Sequence, residues 1–230
     1  MKSICVYNFF NKFLIRIRKE AGMKKELAYF TIDSAFGGNQ EWFTNLVMYM
    51  GGCGAATACD SCIYFALRFG KKELYPYDIN ALCKEEYKKF SQIMKPYIRP
   101  RVGGVRKLEW FAEGLGRYIM DVCRQKRCEN PLKMDIFSGN RSEAEAEIFV
   151  KEQIDRNVLV PCLLLKHKDE EKFKDYIWHW FLIVGYEETE GDFLVKTATY
   201  GEAVWFSLKE LWDTGCEEKG GFIKYLPLYE

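Results

Sequence analysis

The sequence predicts an α+β protein, with a helical first half followed by an antiparallel sheet. Three observations carry this expectation. Between positions 54 and 154 apolar residues recur at three to four residue intervals, the spacing of one helix face. From position 158 the apolar runs shorten or alternate, separated by charged stretches of hairpin length. No internal repeat or Pro/Ser-rich linker divides the 230 residues, and with 48% hydrophobic and 16% aromatic residues they can bury one sizeable core.

The chain begins with a basic extension, residues 1–22, ahead of a single domain, residues 23–230. Residues 1–25 carry seven Lys/Arg against one acid, whereas residues 26–230 carry 27 bases against 32 acids. A mildly acidic globular part is a poor partner for a phosphate backbone, which excludes nucleic acid as the expected ligand. The apolar run from Ile4 to Ile17 is interrupted by Asn8, Asn11 and Lys12 and has its basic cluster on the wrong side for a signal peptide. It is also too short and polar to span a bilayer, so no integral membrane segment is expected. Two readings stay open for residues 1–22: a basic amphipathic helix that touches a membrane or partner, or an extension that packs on the domain or is dispensable to it.

Residues 31–52 mix Gly pairs with aromatics and predict an ordered loop. The run GAATACDSCIYFALRF, 54–69, puts small residues before large apolar ones without Pro or internal Gly, which predicts a buried helix starting at or near Cys53. Residues 71–103 read as irregular to helical, with Pro76, Pro96 and Pro100 limiting helix length. Leu108, Phe111, Leu115, Ile119 and Val122 form a one-sided stripe over 105–125. Ser142 and Glu145 make a capping box opening a helix whose apolar face holds Ala146, Phe149, Val150 and Ile154. These segments give a helical cover over about 71–157. Strands are then expected at 158–165, 177–186, 193–199, 204–206 and 222–226, a sheet over about 158–226. Ser207 and Glu210 open a short helix within it. Helices preceding an antiparallel sheet are the α+β pattern.

Chemistry concentrates at two places. In Gly51-Gly52-Cys53-Gly54-Ala55-Ala56, a thiol stands where a loop turns into a helix. Unpaired N–H groups and the positive end of the helix dipole favour thiolate there, and small neighbours leave room for a substrate backbone. The alternative is close helix packing with Cys53 as a small buried hydrophobe. Of the two histidines, His167 in LLLKHKDEEKFKD reads as a solvated surface residue. His179 lies in a strand, WHWFLIVGY, too apolar to bury an imidazole without a partner. A satisfied core histidine is the alternative there.

A Gly-flanked Cys at a helix head and a strand His 126 residues later resemble the papain-like cysteine peptidases. GGCGAATACD, PCLLL, WHWFLIVGY and YGEAVWFSLKELW are similar, over roughly residues 36–215, to the bacteriocin-leader (double-glycine) peptidase-like branch of that clan, bacterial members included. The resemblance implies a papain-like fold, with the nucleophile helix packed on an antiparallel sheet and a helical insertion. It also implies hydrolysis of an amide or peptide bond: Cys53 attacks the carbonyl, and His179 orients the thiolate and protonates the leaving amine. The family's oxyanion donor is a Gln just upstream of the nucleophile; Val47 stands at that spot, and the nearest upstream Gln is Gln40, which takes the role by this resemblance. The family's third member, an Asp or Asn on the strand after the histidine, is matched by Thr197 or a neighbour, and a hydroxyl stabilises an imidazolium less well than a carboxylate. That departure keeps open a competing class, a catalytically weak or inactive module that binds a peptide or small amide in the same cleft.

Nine scattered cysteines, an odd number in a chain too long to need disulfide staples, predict a reduced cytoplasmic protein. Cys59 and Cys62 have metal-ligand spacing, with Cys123 and Cys128 as further ligands in a zinc reading, but three to four residue spacing on a helix serves packing equally well. Asp60 reads as a surface or capping residue or a buried polar partner. No cofactor is called for.

Overall fold

In a computed structural model, residues 22–101 and 103–228 are described; the proposed basic extension, apart from Gly22, lies outside them. The architecture is α+β, and its centre is the strand β6 (His179–Thr189). The sheet runs β4 (Leu132–Ser138), β9 (Gly220–Pro227), β5 (Val160–Leu164), β6, β7 (Asp192–Thr199), β8 (Glu202–Ser207), with every neighbouring pair antiparallel. One edge of β6 is shared: its first half pairs with β5 and its second half with β1 (Lys24–Glu26). The first eight residues of β6 are all buried, so this strand is covered on both faces and reads as a continuous apolar run. A separate two-stranded ribbon joins β2 (Thr31–Ile32) to β3 (Ala35–Phe36).

The helix α2 (Cys53–Arg68) packs on β6, with 13 of its 16 residues buried. A helix that is small and apolar nearly all round has to lie inside the protein, and Gly54 brings its backbone close to the sheet. A Cβ there would sit 3.4 Å from the Trp180 indole. A short helix α1 (Leu46–Gly51), capped by the Asn45 side chain, leads directly into α2. Gly52 links them: any Cβ at this position would lie 2.2 Å from the Met48 carbonyl oxygen. Where a loop is expected over 31–52, the chain therefore uses a short ribbon, a 3-10 turn at Gln40–Trp42 and α1, all elements too short to give a period.

The remaining cover is α3 (Lys84–Ile98), α4 (Leu108–Lys126) and α5 (Glu143–Asp155), with two short helices, α6 (Glu170–Phe173) and α7 (Leu208–Trp212). The Ser142–Glu145 capping box is formed in full, and Ser207 accepts from the Glu210 N–H at the start of α7. Phe111 of α4 stacks on Trp180 of β6 with centroids 4.3 Å apart. Reading 71–157 as helical cover misses β4. Its LKMDIFS run alternates, but it is a sheet-edge strand with only Leu132 buried, so its apolar signal is weak.

Candidate active site

Cys53 is the first residue of α2, and no side chain caps that N-terminus. The helix-end N–H groups are therefore free to face the sulfur. Burial pushes the Cys53 thiol up, while hydrogen bonds from the backbone N–H groups of Trp180, Gly54 and Cys53 itself pull the other way. Across from it, His179 opens β6 and is 4% exposed. Both side chains line one small cavity of about 10 Å³, shared with Gln40, Asp60, Thr199 and Tyr200. That volume holds at most a single water.

Each ring nitrogen of His179 has a partner. Nε2 lies 2.7 Å from Thr199 Oγ1, and Nδ1 lies 3.3 Å from the Tyr200 hydroxyl. Burial pulls the imidazole down to about 3, so it is neutral at physiological pH. A buried neutral thiol beside a buried neutral imidazole is the resting state of this site.

The position that orients the imidazole is Thr199 and not Thr197. Thr197 pairs with Ile183, four residues along β6 from His179 and so about 13 Å away at the rise of a strand. Its hydroxyl instead donates to the Val204 carbonyl and meets Tyr176 Oη at 3.0 Å, fully buried in the sheet. Because β7 runs antiparallel to β6, moving two residues on toward its end brings Thr199 alongside the start of β6.

Gln40 reaches the cavity from the 3-10 turn, which Asn39 caps by accepting from the Glu41 N–H. Its Nε2 donates to the Tyr49 carbonyl, and its Oε1 is buried without a hydrogen-bond partner. To offer an N–H to an oxyanion, the carboxamide has to release Tyr49; the Cys53 backbone N–H needs no such change. Asn39 also donates to the Tyr200 carbonyl, and the Gly201 N–H donates to the Gly38 carbonyl. These two hydrogen bonds tie the Gln40 turn to the β7–β8 turn.

Asp60, two turns along α2, is the buried polar partner among the readings open to it, and surface use does not apply. Its carboxyl accepts from Tyr29 Oη, Tyr87 Oη and the Gly38 N–H, yet burial still raises it to about 6. Gly38 is required at this contact, since a Cβ would fall 1.9 Å from Tyr87 Oη. His167 is likewise buried and not solvated. It accepts from the Asp169 N–H, packs on Phe173 and places Nε2 2.9 Å from the Glu210 carbonyl, so it is a structural histidine of the α6–α7 corner.

No family model matches the chain, nor does any curated protein or solved structure. Among the described residues no three His, Cys, Asp or Glu side chains are grouped to hold a metal ion, and no helix is long and apolar enough to cross a membrane. The eight described cysteines are unpaired. Tyr200 and Thr199 are the site residues that the sequence reading does not single out. Their signal is the two-residue Tyr-Gly turn at the end of the strand after His179, which aims that strand end at the histidine.

Proposed function

We propose that the chain is a thiol-dependent hydrolase of amide or peptide bonds, built on a papain-like arrangement of nucleophile helix and histidine strand. The observation that carries this reading is the shared cavity: a helix-heading thiol and a strand-heading imidazole enclose one small space with backbone N–H groups directed at the sulfur. In the reaction, His179 Nδ1 takes the Cys53 proton as sulfur adds to the carbonyl carbon, and the Cys53 N–H, with the Gln40 carboxamide once rotated, donates to the developing oxyanion. The imidazolium then protonates the leaving amine as the C–N bond breaks. Water, deprotonated by the same nitrogen, releases the acid from the thioester and restores the thiol. The odd, scattered cysteine count supports a cytoplasmic setting.

A second reading is favoured by a specific observation. The imidazole is held by a threonine hydroxyl where a carboxylate would stabilise its charged form, and it rests neutral. A catalytically weak or inactive module that binds a peptide or small amide in this cleft is consistent with that.

Iodoacetamide labelling of Cys53 against pH, read by peptide mass spectrometry in the parent and in His179→Ala, separates the two. The hydrolase reading expects labelling at neutral pH that is faster in the parent than in His179→Ala, because the neutral imidazole takes the thiol proton as sulfur attacks. Labelling that proceeds at the same rate in both proteins overturns it.

A further inference from the structure

Between the end of α3 and α4 lies an open groove of about 610 Å³ whose wall is basic: Arg99, Arg101 and Arg117 line it with Tyr97 and Trp110, against a single carboxylate, Glu113. Arg106 and Lys107, both exposed, follow on the same loop but line a neighbouring groove together with Glu109, Glu113 and Glu217. None of these five cations forms an ion pair with a described carboxylate. This stands out in a domain whose residues 26–230 are net acidic.

Helix energetics explain only part of the cluster. Arg99 and Arg117 donate to the Pro96 and Tyr97 carbonyls at the end of α3, where cations are favourable. Arg106 and Lys107 stand immediately before α4, at the positive end of its dipole, where cations are unfavourable. Arg101 is held by stacking on the Trp110 face at 3.9 Å, with the Lys107 ammonium 5.4 Å from the same ring. The groove wall itself thus sets three arginines against one carboxylate, which suits a ligand that carries negative charge.

The loop that carries these residues also touches the catalytic elements. The Val105 carbonyl accepts from the Trp180 indole, next to His179, and a Cβ on Gly51, two residues before Cys53, would lie 3.1 Å from the Arg101 carbonyl oxygen. The loop is thereby fixed to the strand that carries His179 and to the turn that precedes Cys53.

We propose that this groove is a subsite for the carboxylate side chains of the peptide on which the protein acts, so that acidic residues near the scissile bond select the substrate. The proposal rests on the amide-hydrolase reading for its catalytic meaning, but its binding claim is tested separately. A fluorescein-labelled Glu-Gly repeat peptide and its Gln-Gly counterpart are titrated by fluorescence anisotropy against full-length Cys53→Ala protein, so that no turnover intervenes. The Glu peptide is expected to bind at least about tenfold more tightly, an advantage that shrinks at high salt and is lost in Arg101→Glu/Arg117→Glu. Arg101→Gln/Arg117→Gln, which removes charge from two exposed positions without reversing it, gives an intermediate loss and stands in if the reversal variant does not fold. The basic residues before position 26 are unchanged in both variants, so their contribution is separated from that of the groove. Equal binding of the two peptides, or a Glu preference untouched by the arginine substitutions, overturns the proposal. So does binding to phosphatidylserine-containing vesicles through these arginines without any Glu preference, which makes the face a membrane surface. Failure of His179 to activate Cys53 in the labelling experiment would retire the hydrolase reading and leave the peptide preference standing, so the two failures are distinguishable.

Discussion

The phenol ring of Tyr200 lies flat on the imidazole of His179, with centroids 4.6 Å apart and planes 6° from parallel, and its hydroxyl meets Nδ1 at 3.3 Å. Tyr200 occupies the nitrogen that receives the thiol proton in the proposed reaction, and it helps close a cavity of about 10 Å³. Its backbone is in the left-handed region at φ 53, followed by Gly201 at φ 77, the pattern of a two-residue type I′ hairpin turn. An aromatic residue pays a steric cost there that Gly201 does not. The ring stack and the bond from Asn39 to the Tyr200 carbonyl offset that cost.

Opening the site therefore means lifting Tyr200 off His179. A stacked pair contributes about 1 kcal/mol beyond its burial, and a neutral hydrogen bond about 1 kcal/mol. Tyr200→Ala is expected to raise the Cys53 alkylation rate at neutral pH by roughly tenfold or more. Tyr200→Phe keeps the stack, loses only the hydroxyl contact and gives a smaller rise. Labelling rates equal in parent and Tyr200→Ala would show that the ring does not limit access.

Thr199 and Thr197 separate positioning from stability. Removing the Thr199 hydroxyl frees Nε2, so Thr199→Val is expected to lower Cys53 reactivity while leaving the thermal midpoint within a few degrees of the parent. The Thr197 hydroxyl touches Tyr176 and Val204, far from the thiol. Thr197→Val should cost about 1–3 kcal/mol of stability with the labelling pH profile unchanged, because a buried tyrosine hydroxyl and carbonyl lose a partner. Urea unfolding and the labelling profile on both variants check this; the reverse pattern would return the positioning role to Thr197.

The buried helix from Cys53 and the histidine strand are legible because their signals are long: sixteen residues without Pro, and an apolar run that only a covered central strand tolerates. The Ser142 box is equally clear, since a cap is encoded within four residues. Thr199 is not, because which residue faces His179 depends on the β6–β7 register, which includes a shift between Ile183 and Gly185. Tyr200 escapes for a related reason: its role comes from a turn conformation that its residue type disfavours. His167 misleads because charged neighbours in sequence say nothing of Phe173 and Glu210 folding over it.

Asp60 makes stability depend on pH in a defined direction. Its carboxyl is raised from the ordinary 3.8 to about 6 by burial. Below pH about 4 both folded and unfolded states hold the proton; as pH rises, the unfolded state ionises first, so stability present at low pH is lost up to about pH 6. The full loss is about 3 kcal/mol. Asp60→Asn cannot ionise and is expected to lack this loss. Urea unfolding at about pH 4 and about pH 7 measures it, and a parent-to-variant difference that is the same at both values rules the coupling out.

His179 acts in the opposite direction. Its imidazole is lowered to about 3 by burial. The unfolded chain therefore binds a proton below pH about 6.5 that the folded protein refuses, and each pH unit below that costs about 1.4 kcal/mol until about pH 3. Between about pH 4 and 6 this opposes the Asp60 effect, so the parent's stability changes little there although two buried groups are titrating in one state only. The single variants unmask them: His179→Gln should gain on the parent as pH falls, and Asp60→Asn should gain as pH rises. The two gains are of comparable size, and both side chains line the Cys53 cavity, so the double variant also reports whether the cavity couples them. Additive effects mean that each group is buried independently. A shortfall from additivity means that opening the cavity for one admits water to the other, as expected if the tied Gln40 and Tyr200 turns lift as a unit.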